Sequence, residues 1–207
     1  SVVNALSRRL DILIRRDGNV YSMAFENGNK VEDLTITGHC GKRNTGTGIR
    51  FTPDEMFFDS ANFAMSRMVH ALRAKAVLCP GLRVTLDDEK KFEKQEWFYE
   101  DGISDYLADA TIDHPVIPEQ PFTASFAGET EAVDWAIQWL PEGGDITAES
   151  YVNLIPTTQG GAHVNGLRSG LLEAMREFCE IRNLLPRGLK LTAEDVWDRC
   201  CYVLSSK

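Results

Sequence analysis

The sequence predicts an α+β chain in two parts, and three observations predict it. Residues 10–52 alternate apolar and polar positions between glycine turns, which is the period of antiparallel strands. From residue 59 the apolar spacing changes to three and four, which is the period of a helix. Residues 113–121, Asp-His-Pro-Val-Ile-Pro-Glu-Gln-Pro, hold three prolines, a stiff extended join after which strand and helix patterns start again.

The elements follow in order. Residues 1–6 read as the tail of a helix, entered part-way because no cap precedes it. Leu10, Ile12 and Ile14 form a half-buried strand, and Asp17-Gly18 turns it into a return strand at 20–25. Asn27-Gly28 turns the chain again into 34–37, and a short strand at 48–51 stops at Pro53. Residues 10–52 thus read as an antiparallel meander. A helix follows, capped by Asp59 or Ser60, with Ala61, Met65, Met68, Leu72 and Cys79 on its core face. Cys79-Pro80-Gly81 ends it. Val84 and Leu86 start a strand that pairs with 97–99.

Past the prolines, Val133, Trp135, Ile137 and Trp139 alternate with polar or small residues, as in a strand with one buried face. Pro141-Glu142-Gly143-Gly144 turns the chain into a strand at 151–155. Gly160-Gly161 opens a long helix with an apolar stripe of Leu167, Leu171, Met175, Phe178 and Leu185. Thr192 and Asp195 cap a last helix with Val196, Cys200 and Val203 facing inward.

Composition narrows the function. The 207 residues are 43% hydrophobic and 26% charged, enough for a core and too apolar for a disordered chain. No apolar run reaches the ~20 residues that span a bilayer, and the first ten residues hold no signal pattern. The net charge of −9 disfavours tight autonomous binding to duplex DNA. Residues 1–50 nonetheless carry 8 basic against 5 acidic side chains, so contact with polyanions favours them over the acidic remainder. The alternative is a mixed, solvated surface. Five cysteines at irregular spacing, with no C-x-x-C pair, point to a reduced cytoplasmic chain with mostly buried thiols and no zinc site. Adjacent Cys200 and Cys201 point to different sides of a helix in this reading.

Few residues signal chemistry alone. His39, His70, His114 and His163 have no metal-ligand spacing, and His70 reads as structural. His163 follows a glycine-rich helix entrance, which is either an anion site or, on the simpler reading, a tight turn. Thr45-Gly46-Thr47-Gly48 resembles a phosphate loop but leads into a strand, where a threonine hydroxyl can meet the polar edge of a small ligand. Glu129, Glu131 and Asp134 are too ordinary to be catalytic.

Three segments together say more. Ser-Val-Val-Asn-Ala-Leu-Ser at 1–7 leads to Arg15-Arg16-Asp17-Gly18. Thr45-Gly46-Thr47 runs into Ile49-Arg50-Phe51 and Pro53-Asp54. Gln159-Gly160-Gly161-Ala162-His163-Val164-Asn165-Gly166-Leu167-Arg168 enters the long helix. In this order and at these distances the whole chain resembles the ATPase subunits of bacterial type IIA topoisomerases. Lys-Ala-Val-Leu-Cys-Pro-Gly at 75–81 and Trp-Leu-Pro-Glu-Gly-Gly at 139–144 resemble the topoisomerase IV branch more than the gyrase branch.

The resemblance implies a partial GHKL ATPase sandwich over residues 1–112, its C-terminal half. Residues 113–207 then begin a transducer domain with a ribosomal protein S5 domain 2-like fold. It implies that Thr47 contacts the adenine region of ATP, directly or through water. Ile49 lines the pocket, and Arg16 stands at its mouth where aminocoumarins bind. The family's general-base glutamate, magnesium-binding asparagine, adenine-binding aspartate and γ-phosphate lysine match no position here. Phosphoryl transfer rests on positioning and charge stabilisation, so this stretch alone is expected not to hydrolyse ATP.

For the parent protein the resemblance implies ATP and magnesium as cofactors. It also implies an ATP-dependent dimer of B subunits, a partner A subunit, and duplex DNA transiently enclosed during strand passage, with relative motion placed at 113–121. Two other readings remain: a non-catalytic coupling module, and another GHKL ATPase such as a chaperone or mismatch-repair protein. The Gln-Gly-Gly-x-His and Thr-Gly-Thr segments argue against the latter.

Overall fold

Two tight turns set the register of everything before residue 40. Asp17 and Gly18 have φ of 52° and 81°, and Asn27 and Gly28 have 49° and 82°. Positive φ at both central residues matches the right-handed twist of the flanking strands. In the computed structural model, which describes residues 1–60 and 62–207, these turns join β1 (Ser7–Arg16), β2 (Asn19–Glu26) and β3 (Asn29–His39) after a short helix α1 (Val2–Ala5). The meander stops there. β4 (Gly46–Pro53) pairs with β1 and not with β3, giving the order β3-β2-β1-β4. Cross-strand apolar pairs explain the choice: β4 sets Ile49 opposite Ile12 and Phe51 opposite Leu10, whereas β3 is almost wholly exposed.

The helix expected from residue 59 begins six residues later. Ser60 Oγ accepts a bond from the Asn62 amide in a local turn, and α2 spans Met65–Leu78. Ala61 lies outside the described residues. Met65, Met68, Leu72 and Cys79 are only half-buried, and the buried set is Ala74, Ala76, Val77 and Leu78. Next, β5 (Val84–Asp88) and β6 (Glu93–Trp97) form a hairpin with Val84 opposite Trp97, so the partner strand ends at Trp97 rather than starting there and occupies part of the charged segment expected as a loop. Helix α3 (Ile103–Ala110) has no counterpart in the sequence reading, although Ile103, Tyr106 and Leu107 have helical spacing.

The join at 113–121 is itself part strand: from Ile117 it belongs to β7 (Ile117–Ala127), which pairs with β8 (Ala132–Trp139). β9 (Ala148–Val152) turns through Asn153-Leu154 into β10 (Ile155–Pro156). The long helix α4 (Ala162–Arg182) ends on Asn183 in the left-handed conformation. After the short α5 (Ala193–Trp197), capped by Thr192 and Asp195 as expected, β11 (Cys200–Ser206) completes a sheet of order β10-β9-β11-β8-β7. β11 runs parallel to β9 and antiparallel to β8.

Cys200 and Val203 therefore sit on a strand and not on the last helix, so Cys200 and Cys201 enter opposite cores. A continuous apolar run does not by itself distinguish a buried strand from a buried helix. β8 is likewise covered on both faces. Ala136 joins Val77, Leu107 and Leu140 on one side, and Ile137 joins Val164, Leu167 and Trp139 on the other. Of the α4 stripe, Leu167 and Leu171 pack on the sheet. Phe178 is 54% exposed, and Leu185 lies beyond the helix.

The chain divides into two compact units, Ser1–Ala64 and Met65–Lys207. The division does not fall in the proline-rich stretch, because α2 and α3 bury Ala74, Val77, Leu78, Tyr106 and Leu107 with residues of β8, β9 and β11 in one core.

Gly102 enters α3 with φ 57°, and a Cβ there would come 2.8 Å from Pro80 Cγ and 2.9 Å from the Val77 carbonyl oxygen. Gly102→Ala is expected to destabilise the chain by about 2 kcal/mol or more, read as a lowered urea midpoint.

Candidate functional site

β1 and β4 build one open face in the first unit. Side chains directly opposite each other on paired strands share a face, and alternate residues along a strand return to it. Thr47 stands opposite Ile14, Ile49 opposite Ile12, and Phe51 opposite Leu10. Arg16, two residues beyond Ile14, ends the same row. The register thus gathers all three residues expected to touch a ligand, Arg16, Thr47 and Ile49, onto one side of the sheet.

This face is accessible. Thr47 is exposed and Ile49 is 62% exposed. The Arg16 side chain is 78% exposed and pairs with Asp17 at 3.5 Å. An ion pair so open to water holds the guanidinium weakly, leaving it able to reach a polar ligand. The opposite face differs: Arg9 bridges Asp11, Glu26 and Glu32 at 2.8, 2.8 and 3.0 Å, which raises its pKa. An apolar row with one hydroxyl and one terminal guanidinium suits a flat heteroaromatic ring with a polar edge. Thr45-Gly46-Thr47-Gly48 runs straight into β4, as expected.

The other candidates resolve as structure. The His163 ring lies against Gly161, where a Cβ would meet it at 2.9 Å, and its Nε2 is 3.0 Å from Thr157 Oγ1. The glycine-rich entrance of α4 is thus filled by its own histidine, the tight-turn reading. His114 packs on Gly144 in the same way, His39 Nδ1 is 3.0 Å from Asn19 Oδ1, and His70 is exposed. Glu131 accepts a bond from the Thr130 hydroxyl, and Asp134 lies 3.8 Å from Lys207. Among the described residues no three His, Cys, Asp or Glu converge as a metal site, and no helix is long and apolar enough to cross a membrane.

Two polar clusters of the second unit escaped the sequence reading. The Tyr106 and Tyr151 hydroxyls donate to the two oxygens of Glu149 at 2.6 and 2.5 Å, and the Arg73 guanidinium lies 4.7 Å from the centre of the Tyr106 ring. Burial, then the bond to Glu149, pushes both tyrosines up. Gln138, 1% exposed, is bonded on both ends of its amide. A glutamate alternating with a tyrosine on one strand was visible; its partner 43 residues earlier was not.

Residues 102–207 match the family model described as DNA gyrase B. The chain belongs to the DNA gyrase B family. It is 65% identical to the B subunit of DNA topoisomerase 4 from Escherichia coli over 207 residues, covering 100% of this chain and 33% of that protein. Identity to the Haemophilus influenzae protein of the same name is 60%, with the same coverage. This gyrase-B-family chain therefore spans about a third of the length of the curated relatives it matches. Among solved structures, it resembles the topoisomerase IV ATP-binding domain of Francisella tularensis in complex with a small-molecule inhibitor, at 40% identity and TM-score 0.80. It also resembles the 43K ATPase domain of Thermus thermophilus gyrase B in complex with an aminocoumarin, at 26% identity and TM-score 0.87. Each likeness covers 100% of this chain and 56% of the other. The α+β fold and the topoisomerase IV branch read from the motifs both hold.

The titratable groups of the second unit predict an alkaline limit on stability. Burial pushes the Cys200 thiol from about 9 up to about 12, and raises Cys201 in the same direction. A folded thiol with a raised pKa keeps its proton where the unfolded one loses it, so stability is full below about pH 9 and falls as pH rises above it. Cys200→Ala is expected to flatten that fall, read from urea midpoints across the alkaline range.

Proposed function

We propose that the whole protein is the B subunit of a type IIA DNA topoisomerase of the topoisomerase IV kind. It couples ATP binding and hydrolysis to DNA strand passage, and so serves decatenation and chromosome segregation in the cytoplasm. The observation that carries the reading is the row Arg16, Ile14, Thr47, Ile12 and Ile49 on one open face of β1 and β4. The relatives named for a topoisomerase and the neighbours named for ATP-binding and ATPase domains support it.

In this reading residues 1–112 are the C-terminal half of a GHKL ATP-binding domain and residues 113–207 begin the transducer. These are units of descent, and they differ from the compact units because α2 and α3 pack on the sheet of the second unit. ATP, when bound, supplies the phosphoanhydride whose cleavage drives the cycle. Ile12 and Ile49 exclude water from one face of the adenine. The Thr47 hydroxyl bonds the polar edge of the ring and fixes its orientation, directly or through a water. Arg16 stands at the mouth, where its planar guanidinium can stack on or bond an aminocoumarin. No hydrolytic step is assigned to residues of this chain, and the family's principal magnesium ligand matches no position in it. A second B subunit, the A subunit and a transiently enclosed duplex are the partners. The acidic net charge suits a part that surrounds DNA without gripping it.

Calorimetric titration of the full-length protein tests the face. Thr47→Val is expected to weaken ATP binding about tenfold, the loss of one buried hydrogen bond. Arg16→Gln is expected to weaken aminocoumarin binding about tenfold while ATP affinity stays within about threefold, because a charge-assisted contact is lost only at the mouth. Unchanged ATP affinity in Thr47→Val overturns the assignment.

A further inference from the structure

We propose that Gln138 is a positioning residue that pins the proline-rich join to the sheet, so that α3, the join and β8 move as one body during the nucleotide cycle. The inference rests on the topoisomerase reading above and concerns which part of the molecule carries the motion. Gln138 sits on β8 and is 1% exposed, among the most buried side chains of the chain. Its amide is bonded to Thr111, two residues before the join, and to Pro118 and Glu119 within it. On one side Oε1 lies 3.0 Å from Thr111 Oγ1, whose single proton it shares with the Leu107 carbonyl, also at 3.0 Å, and Thr111, 2% exposed, is the residue on which α3 ends. On the other side Nε2 donates to the Pro118 carbonyl at 2.8 Å and to the Glu119 carbonyl at 3.3 Å.

The strand register shows why the amide is needed. β7 pairs with β8 at Ile117 opposite Trp139, and the ladder resumes only at Phe122 opposite Ile137. Residues 118–121 leave the ladder between those two pairs, and the prolines at 118 and 121 have no N–H to offer it. The carbonyls of 118 and 119 then find their donor in Gln138. A residue that only filled space at 138 would be apolar, because a buried amide is tolerated only when its groups are paired. The Tyr106 hydroxyl bond to Glu149 ties the same helix to β9. A proline-rich stretch that looks like a hinge in the sequence is thus held, just before its start and again within it, by one side chain.

The test uses full-length B subunit assembled with its A subunit. Amide exchange at residues 111–121 is expected to be slow and to change less than about twofold on adding a non-hydrolysable ATP analogue, since a pinned segment opens only with the unit that holds it. Gln138→Met is expected to speed that exchange about tenfold, and to lower strand-passage events per ATP hydrolysed about fivefold, with ATP turnover within about twofold of wild type. Thr111→Val is expected to shift both readouts the same way, and Thr111→Ser, which keeps the hydroxyl, to restore them. A role in folding alone would lower turnover and passage together and leave their ratio unchanged. Faster exchange at 111–121 on nucleotide binding, or an unchanged ratio in both Gln138→Met and Thr111→Val, overturns the proposal. A wild-type assembly with no ATP-dependent strand passage overturns the topoisomerase reading instead, and the coupling role falls with it.

Discussion

The second unit depends on β11 being apolar on both sides. Cys200, Tyr202 and Leu204 enter the core under α4, and Cys201 and Val203 enter the core under α2 and α3. A strand buried on both faces must pair on both edges, since its amides and carbonyls meet no water. β8 and β9 supply those edges, one antiparallel and one parallel. The parallel pairing requires a crossover, which α4 and α5 provide. Two helical layers on a single sheet follow from that one strand.

The same constraint explains the buried polar groups. Helix α3 lies on the face of the sheet that carries Ala136 and Gln138, and its last turn brings Thr111 against the Gln138 amide. Tyr106 and Tyr151 are large enough to be core and each carries a hydroxyl, so Glu149 is drawn in to accept both. Polar groups placed this deep specify one arrangement of helix on sheet, because a shifted helix would leave them unpaired.

The first unit works by the opposite logic. Its sheet keeps an apolar row open on one face and gathers a cluster of four charges, Arg9 with Asp11, Glu26 and Glu32, on the other. Local sequence reaches this far, because the turns at 17–18 and 27–28 fix register within a few residues. Arg16, Thr47 and Ile49 were identified as a group by resemblance. Their convergence, across some thirty residues of chain, needed β4 to return to β1.

By itself the sequence determined the turns, the cap at Thr192 and Asp195, the strands at β1, β2 and β8, and the helix after Gly160-Gly161, but not that β8 is covered on both faces. All of these rest on φ preferences or on periods a few residues long. The tertiary structure alone decided that β4 pairs with β1 and that the run from Cys200 is a central strand. It also decided that the stretch at 113–121 is held by the Gln138 amide. Each of these depends on partners far away in the chain, and no local period encodes which distant surface will be left to cover.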